Sequence, residues 1–227
     1  MLIAEDLLLL LTDDETGRPL VAASTLALGL GGAQLVELAL TGRVDVDHRK
    51  RLVVLDAGPT GDETLDRALA VVQRRAGRRP ESVLAELGRR LPEALYERLV
   101  AAGLLRSEHG RVLGIFPTTR WPTASADHEL TVRRALTSAL VDGRAPEPRD
   151  GALIALVHAL RATHRLLDVR EHGLSRRDLD RRAKQIAEGS WGSQAVRRAV
   201  DQAAAAVTAA VSAAVAASTA STVAGSS

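Results

Sequence analysis

A glycine-rich stretch, LGLGGAQLVELALTGRV at residues 28–44, raises the first question of chemistry, because glycine loops can hold a phosphate. A dinucleotide-binding fingerprint needs G-x-G-x-x-G after a strand, and here the third glycine position is Gln34. No lysine followed by serine or threonine comes next, as a P-loop requires. The following residues have helical spacing, with Glu37 as the one acid. The stretch therefore predicts a core helix interrupted at residues 29–32, and not a nucleotide site.

The other polar patterns point away from catalysis and from metal binding. His158 and His164 are six residues apart and would lie on different helix faces, and no H-E-x-x-H motif occurs. The absence of cysteine excludes disulfides and thiolate metal sites. Carboxylates such as Asp62, Glu63 and Asp66 fit the first turn of a helix, where they face its positive end. We predict a protein that is not an enzyme and that needs no metal and no cofactor.

Arginine is the abundant cation, and it clusters before the middle of the chain. The formal net charge is only +2, and the lysines are Lys50 and Lys184. One run of arginines is opposed only by Glu81 and Glu86, and its members are Arg74, Arg75, Arg78, Arg79, Arg89 and Arg90. The planar guanidinium fork can bind two phosphate oxygens at once. The run predicts either a solvated helix face or a docking surface for anions.

The elements that position these residues are predicted to be mostly helical. Leucine, valine and alanine must form the core, since aromatic residues make up 2% of the 227 residues. We predict one domain over residues 1–217 and a flexible tail over 218–227. Apolar spacing predicts helices at 3–11, 20–40, 80–87, 92–102, 127–141, 150–167, 177–187 and 193–217. A further helix is predicted to begin at a capping box formed by Thr60 and Glu63, and Ser175 with Asp178 is predicted to cap the helix at 177–187. Residues 44–55 predict a short two-stranded turn.

Neither end of the chain predicts a membrane-spanning segment. Glu5 and Asp6 follow the first residues at once, which is the wrong charge for the start of a secretory signal. Residues 203–217 carry no charge, but they are mostly alanine, which gives little transfer energy into a bilayer. We predict a closely packed terminal helix there.

A predicted hairpin follows the arginine run. Residues 104–116, LLRSEHGRVLGIF, predict two strands with a turn at residues 108–110. The apolar residues Val112, Leu113 and Ile115 would occupy both faces of the second strand. Such a strand is either folded onto the helices or inserted into another apolar phase, and both alternatives are open at this point. A basic surface beside an apolar projection suits peripheral membrane attachment.

The same helix–helix–hairpin order is also the outline of a winged-helix DNA-binding domain. In that hypothesis the helix over 92–102 would enter the major groove, but it carries Glu93 and Glu97 against a single Arg98. A recognition helix needs basic and amide donors for phosphates and base edges. A winged-helix regulator is therefore the alternative, and we do not expect nucleic acid as the partner.

Four sequence blocks, taken together, resemble the Golgi phosphoprotein 3 family in its bacterial branch. The blocks occur in family order, and they are EDLLLLLTDDETG at 5–17, GLGGAQLVELALTGRV at 29–44, DAGPTGDETLDRAL at 56–69 and LVAAGLLRSEHGRVLGIFPTTRWP at 99–122. The most specific pattern is P-T-G-D-x-x-L-D, and the second half of the chain matches mainly in its helical pattern. The resemblance implies a mainly α fold, a single helical domain with a projecting amphipathic β-hairpin at about 104–117.

The resemblance also implies a lipid site beside the hairpin. Eukaryotic members are cytosolic peripheral membrane proteins that bind phosphatidylinositol 4-phosphate and retain glycosyltransferases in the Golgi. An ungapped alignment places the family's tryptophan and first arginine at Ala22 and Gly31, and its later arginine pair at Arg89 and Pro92, with Arg90 adjacent. Arg89 and Arg90 are therefore the predicted headgroup-binding residues. Val112, Leu113 and Ile115 are the predicted membrane-inserting residues of the hairpin.

These expectations combine into one functional prediction. The protein is expected to be a cytoplasmic, peripherally membrane-associated adaptor that binds anionic phospholipid headgroups. Because three of the four family headgroup positions differ, loose attraction to anionic lipid is expected before selectivity for phosphatidylinositol 4-phosphate. The sequence does not decide whether the protein binds a membrane enzyme as its client or whether it forms a homo-oligomer.

Overall fold

The computed structural model describes residues 1–112, 116–189 and 194–224, and helices dominate it. The helices are α1 Ile3–Leu10, α2 Ala23–Leu40, α3 Glu63–Arg74, α4 Leu84–Leu87, α5 Leu91–Ala101, α6 Asp127–Leu140, α7 Pro148–Ala159, α8 Arg176–Ala187 and α9 Gln194–Ala224, with 3-10 turns at Pro80–Ser82 and Thr163–Arg165. The strands form two antiparallel pairs, β1 Val44–Val46 with β2 Leu52–Val54 and β3 Glu108–Val112 with β4 Phe116–Arg120. The predicted mainly α fold with a β-hairpin is confirmed.

Helix α2 lies at the centre of the core. It packs against α1, α4, α5, α7 and α9, and every residue of α1 is buried beside it. The predicted interruption at residues 29–32 is wrong, because α2 is continuous through its glycines. A Cβ atom on Gly31 would lie 2.6 Å from the Leu84 carbonyl oxygen, and one on Gly32 would lie 2.5 Å from Cγ2 of Val207. The glycines therefore allow neighbouring elements to approach the helix closely.

The N-cap of helix α3 lies two residues after Thr60, the residue that was predicted to cap it. Asp62 is the N-cap, and its Oδ1 accepts hydrogen bonds from the backbone N–H groups of Thr64 and Leu65 at 2.8 and 3.2 Å. The Thr60 hydroxyl instead donates to Asp66 Oδ1 at 2.7 Å. The predicted Thr60–Glu63 capping box is therefore wrong, because the loop gives Thr60 a different partner.

Helix α8 does have the cap that its sequence predicts. The Asp178 backbone N–H donates to Ser175 Oγ at 3.1 Å, and the Ser175 backbone N–H donates back to Asp178 Oδ2 at 3.3 Å. This reciprocal pair fixes the start of the helix.

Two predicted helices are shorter than their apolar pattern indicates. The segment 80–87 divides into the 3-10 turn and α4, and Gly88 then packs against α2, where a Cβ atom would lie 2.1 Å from the Ala27 carbonyl oxygen. The segment 150–167 ends as α7 at Ala159, because Arg161 has a left-handed φ of 56°. A residue in that conformation closes a helix.

The hairpin lies later in the chain than its sequence predicts. Glu108, His109 and Gly110 are strand residues opposite Arg120, Thr119 and Thr118, so the predicted turn at 108–110 is wrong. Residues 113–115, between the two strands in sequence, lie outside the described residues.

Helix α9 packs on the domain with its first half. Its buried residues face the core, and they are Val200, Ala203, Ala206, Val207 and Val211. The helix continues to Ala224, past the predicted end at residue 217, and the division into a domain and a tail stays a prediction. By length and composition, two described helical segments could span a membrane: Ala23–Leu40, which is α2 in the core, and Val200–Ala217 of α9.

Candidate functional site

A cleft of about 270 Å³ lies where α3, α4 and α5 meet α2, and we call it the α5 cleft. Three arginines line it, Arg67, Arg89 and Arg90. Gln34 of α2, Thr64 of α3 and the carboxylate of Glu86 are its other polar lining residues, and Glu86 is paired with Arg74 and Arg75. The apolar part of the lining consists of Ala68, Val71, Leu87, Leu91 and Ala94. The cleft thus combines positive charge with an apolar wall.

The two predicted headgroup residues come together at this cleft. Arg89 and Arg90 are both exposed, and neither has a carboxylate within 4.0 Å in the described ranges of the chain. Arg90 is the N-cap of α5 and has a left-handed φ of 57°. That conformation costs a residue with a side chain about 1–3 kcal/mol, so the surrounding structure holds it in place. Arg89 and Arg90 directly precede the first residue of α5, so their backbone lies at the positive end of that helix, which also favours an anion.

Gln34 supplies an unused hydrogen-bond acceptor to the same cleft. Its side chain is 3% exposed, and its Nε2 donates to the Thr64 carbonyl oxygen at 3.5 Å. Its Oε1 is the one buried side-chain oxygen or nitrogen without a hydrogen-bond partner among the described residues. Leaving such an atom unpaired costs about 1–3 kcal/mol. A ligand hydroxyl or N–H group could satisfy it, and the sequence analysis missed this residue.

The rest of the arginine run is partly neutralised. Glu86 accepts from Arg74 Nη2 at 3.2 Å and from Arg75 Nε at 3.0 Å. These hydrogen bonds, the one from Arg74 first, hold the pKa of the Glu86 carboxyl below its usual value. Arg67 pairs with Glu63 one turn before it on α3. The run is therefore not a uniform basic face, since its uncompensated charge is concentrated at particular residues.

The base of the hairpin is fixed to the helices. The rings of Trp121 and Tyr96 stack with centroids 4.9 Å apart, and the hydroxyls of Tyr96 and Thr12 lie 2.9 Å from each other. The Trp121 backbone N–H donates to the Gly17 carbonyl oxygen at 3.0 Å. The strands therefore leave the domain from a position set by α5 and by the connection between α1 and α2.

Of the predicted inserting residues, the structure describes only the backbone of Val112. It is the last residue of β3 and pairs with Phe116. Leu113 and Ile115 lie outside the described residues. Insertion through these three side chains stays a prediction.

The other headgroup positions implied by the resemblance do not line the α5 cleft. Ala22 is the exposed N-cap of α2, and Pro92 is the second residue of α5. Gly31 is buried, and its Cβ direction is closed by the Leu84 carbonyl oxygen. An arginine side chain would have no room at that position, so Arg89 is the one matched residue that the structure places in the cleft.

A second cluster of charges connects α1 to its neighbours and leaves no carboxylate free. Asp6 lies 2.7 Å from His128 Nε2 and accepts from Arg149 Nη2 at 2.8 Å. Glu37 accepts from the Ile3 backbone N–H at 2.5 Å and also pairs with Arg149. No group of His, Asp or Glu that could hold a metal ion occurs in the described part of the chain. This arrangement is a set of buried ion pairs that orders the N-terminal helix.

Comparison with known proteins agrees with the four sequence blocks. No curated protein matches the chain. The family model described as Golgi phosphoprotein 3 (GPP34) matches residues 3–203, a range that includes the α5 cleft and the hairpin and that ends within α9. Because the match covers most of the chain, the protein belongs to the Golgi phosphoprotein 3 family.

Proposed function

We propose that the protein is a non-enzymatic cytoplasmic adaptor that attaches peripherally to anionic membranes, with a phospholipid headgroup in the α5 cleft. The observation that carries this proposal is the pairing of two uncompensated arginines, Arg89 and Arg90, with the unused acceptor of Gln34 in one cleft. Membership of the family supports it.

The chemistry of the cleft fits a phosphate that is attached to a polyol. Arg89 and Arg90 can each offer two parallel N–H groups to phosphate oxygens. Gln34 Oε1 requires a donor, and a hydroxyl of a glycerol or inositol headgroup would provide one. Phosphatidylglycerol and phosphatidylinositol 4-phosphate both carry a phosphate and hydroxyls. The apolar wall formed by Leu87 and Leu91 faces the uncharged part of such a group.

The hairpin supplies the second part of the attachment. Burying an apolar side chain such as Leu113 contributes at most about 1.5–3 kcal/mol, and a nearby arginine contributes about 1 kcal/mol at an anionic surface. Two signals of this size hold a protein on a bilayer reversibly.

Co-sedimentation with vesicles tests the headgroup site. Vesicles of phosphatidylcholine alone are compared with vesicles that also contain phosphatidylglycerol, or phosphatidylinositol 4-phosphate at matched charge. We expect binding to both anionic mixtures and none to the neutral one. Arg89→Gln with Arg90→Gln should weaken it several-fold, whereas Arg134→Gln with Arg144→Gln, which removes the same charge from exposed sites elsewhere, should not. Equal loss in both double variants would reject the cleft as the site.

The comparison of the two anionic lipids also distinguishes selective recognition of one headgroup from general attraction to negative charge. A clear preference for phosphatidylinositol 4-phosphate at matched charge would support selection of the headgroup by this cleft although only Arg89 of the family's four headgroup residues is kept. No binding to either anionic mixture, together with a duplex-DNA gel shift, would favour the winged-helix alternative and reject the adaptor.

The insertion step has a separate test. Leu113→Asp with Ile115→Asp should release the protein from anionic vesicles while its thermal unfolding midpoint stays unchanged. Retained binding by this variant would contradict insertion through the hairpin while leaving the headgroup site intact.

A further inference from the structure

A second basic cleft lies on a different part of the surface. It has a volume of about 500 Å³ and is placed between the β1–β2 turn and the connection from α3 to the 3-10 turn at Pro80–Ser82. Two arginines come from each side, Arg49 and Arg51 from the turn and Arg78 and Arg79 from the connection. We call it the arginine cleft. No residue of the α5 cleft lines it among the described residues.

Backbone hydrogen bonds fix the two sides of the arginine cleft to each other. The Leu52 backbone N–H donates to the Arg78 carbonyl oxygen, and the Gly77 backbone N–H donates to the Leu52 carbonyl oxygen, both at 2.8 Å. Arg51 Nη1 also donates to the Gly77 carbonyl oxygen at 3.3 Å. The strand and the connection therefore fix the backbone from which the four exposed arginine side chains extend.

The turn that carries Arg49 and Arg51 is itself ordered by Asp47. Asp47 Oδ1 accepts from the backbone N–H groups of Arg49 and Arg51 at 2.8 and 2.9 Å. The hydrogen bond from the Arg51 backbone is the main reason that the pKa of the Asp47 carboxyl lies below its usual value. The carboxylate thus shapes the turn and is already bound to backbone groups.

The positive charge in this cleft exceeds the negative charge. Glu81 is the one carboxylate in the lining, and it pairs with Arg79 at 3.7 Å. Arg49, Arg51 and Arg78 have no carboxylate within 4.0 Å in the ranges that the structure describes. Like charges held close together repel, and a bound anion offsets that repulsion. The fixed geometry therefore favours an anion with more than one negative charge.

The lining also limits what the ligand can be. No apolar or aromatic side chain lines the arginine cleft, in contrast to the apolar wall of the α5 cleft. A nucleobase or an acyl chain would find nothing to pack against, whereas phosphate oxygens match the guanidinium forks. We propose that the arginine cleft is a second anion site, which binds a phosphate group bearing at least two negative charges. This inference does not depend on the function proposed for the α5 cleft.

Isothermal titration calorimetry with pyrophosphate tests this site directly. We expect saturable binding by the unchanged protein at low ionic strength. Arg49→Gln with Arg78→Gln should weaken it at least about ten-fold, because it removes one charged donor group from each side of the cleft. These two side chains have no described hydrogen-bond or ion-pair partner, so the variant should keep its thermal unfolding midpoint.

Two other variants make the calorimetry specific. Arg134→Gln with Arg144→Gln removes equal charge from exposed positions outside both basic clefts, and it should bind pyrophosphate as the unchanged protein does. Arg89→Gln with Arg90→Gln removes any pyrophosphate bound in the α5 cleft, and the saturable binding that remains should be lost when Arg49→Gln and Arg78→Gln are added. The proposal is overturned if the unchanged protein shows no saturable binding, or if the Arg49 and Arg78 variant binds no worse than the Arg134 and Arg144 control.

Vesicles distinguish a lipid phosphate from a soluble one. Phosphatidic acid carries a phosphate monoester, and phosphatidylglycerol, used at matched charge, carries a diester. If the Arg49 and Arg78 variant loses both pyrophosphate binding and a preference for phosphatidic acid, the site takes a lipid monoester. If it loses pyrophosphate binding alone, the site takes a soluble phosphate compound. Both results support the site.

Discussion

At the scale of single residues, Asp62 has two roles at the start of α3. Its Oδ1 accepts from two backbone N–H groups of the helix, and both carboxylate oxygens accept from Arg98 Nη1 at 3.0 and 2.9 Å. Arg98 Nε also donates to Glu5 Oε1 at 2.9 Å. One guanidinium group therefore connects α1, α3 and α5. Burial raises the pKa of Asp62, but the hydrogen bonds from Arg98 and Leu65 outweigh it and hold that pKa below its ordinary value.

This depressed pKa gives a pH-dependent prediction. A carboxyl whose pKa is lower in the folded protein stabilises it above the unfolded pKa of about 3.9, and the contribution is lost as the pH falls through the folded pKa. We expect Asp62→Asn to lower the free energy of unfolding at pH 7 and to match the unchanged protein at the acid end. Urea unfolding between pH 7 and pH 2.5 measures this. A difference that stays constant over the range would contradict it.

Asp62→Ala is the matched comparison for the cap. Asparagine caps a helix about as well as aspartate, whereas alanine costs about 1 kcal/mol. The alanine variant should therefore be less stable than the asparagine variant at every pH. Equal stability of the two would show that capping by Asp62 contributes little.

At the scale of elements, the close approach of α2 to the segment around α4 gives a second prediction. Gly88→Ala places a Cβ atom 2.1 Å from the Ala27 carbonyl oxygen, which belongs to the backbone and cannot rotate away. We expect a loss of about 1–3 kcal/mol in the free energy of unfolding, as for other overpacked sites. Gly110→Ala is the control, because its nearest neighbour would be Thr118 Cγ2 at 3.7 Å. Denaturant unfolding of both variants checks this, and equal losses would contradict it.

Helix α9 allows a test of the predicted boundary between the domain and the C-terminal tail at residue 217. Its buried residues extend from Val200 to Val211, and the side chains of Ser212, Ala213, Val215, Ala216 and Ala217 are exposed. Deleting residues 218–227 should therefore change the free energy of unfolding by no more than about 0.5 kcal/mol. Deleting residues 206–227 should unfold much of the protein, because it removes Val207 and Val211 from the core. Calorimetric melting of both truncations tests this, and a large effect of the shorter deletion would place the domain boundary beyond residue 217.

The sequence predicted elements better than their junctions. Apolar spacing was sufficient to locate most helices and the fold class but not the extents of those at 80–87 and 150–167, and Ser175 with Asp178 was sufficient for one cap. The continuity of α2 was not predictable from the sequence. Gly32 is needed because the side chain of Val207, far away in the chain, packs directly against the helix there. The hairpin register was wrong because an apolar run predicts a strand but not its partner.

The candidate site was predictable to the same limited extent. Arg89 and Arg90 were recognised by their charge and by resemblance, and the structure brings them together at one cleft. Gln34 was visible only as a polar residue in an apolar run, and its importance depends on a missing hydrogen-bond partner. The arginine cleft joins Arg49 with Arg78, and only the folded chain shows that pairing.

At the scale of the whole molecule, charge distribution matters more than total charge. The net charge of +2 is small for 227 residues, yet arginines without a carboxylate partner meet in each of two clefts. Such local fields are screened within a Debye length, which falls from about 10 Å at 0.1 M salt to about 3 Å at 1 M. We expect vesicle binding to weaken strongly over this range, while the thermal unfolding midpoint changes little. Binding that is insensitive to salt would contradict electrostatic attachment.

The glycines of α2 have a consequence for how this family can change. Gly29, Gly31 and Gly32 face three different partners, namely the Leu160 side chain, the Leu84 carbonyl oxygen and the Val207 side chain. A larger residue at position 32 can be accommodated if position 207 becomes smaller, whereas position 31 faces backbone and has no such compensation. Positions 32 and 207 should therefore vary together among relatives, and relatives that carry the family's arginine at position 31 should hold the segment around α4 farther from α2 than this protein does.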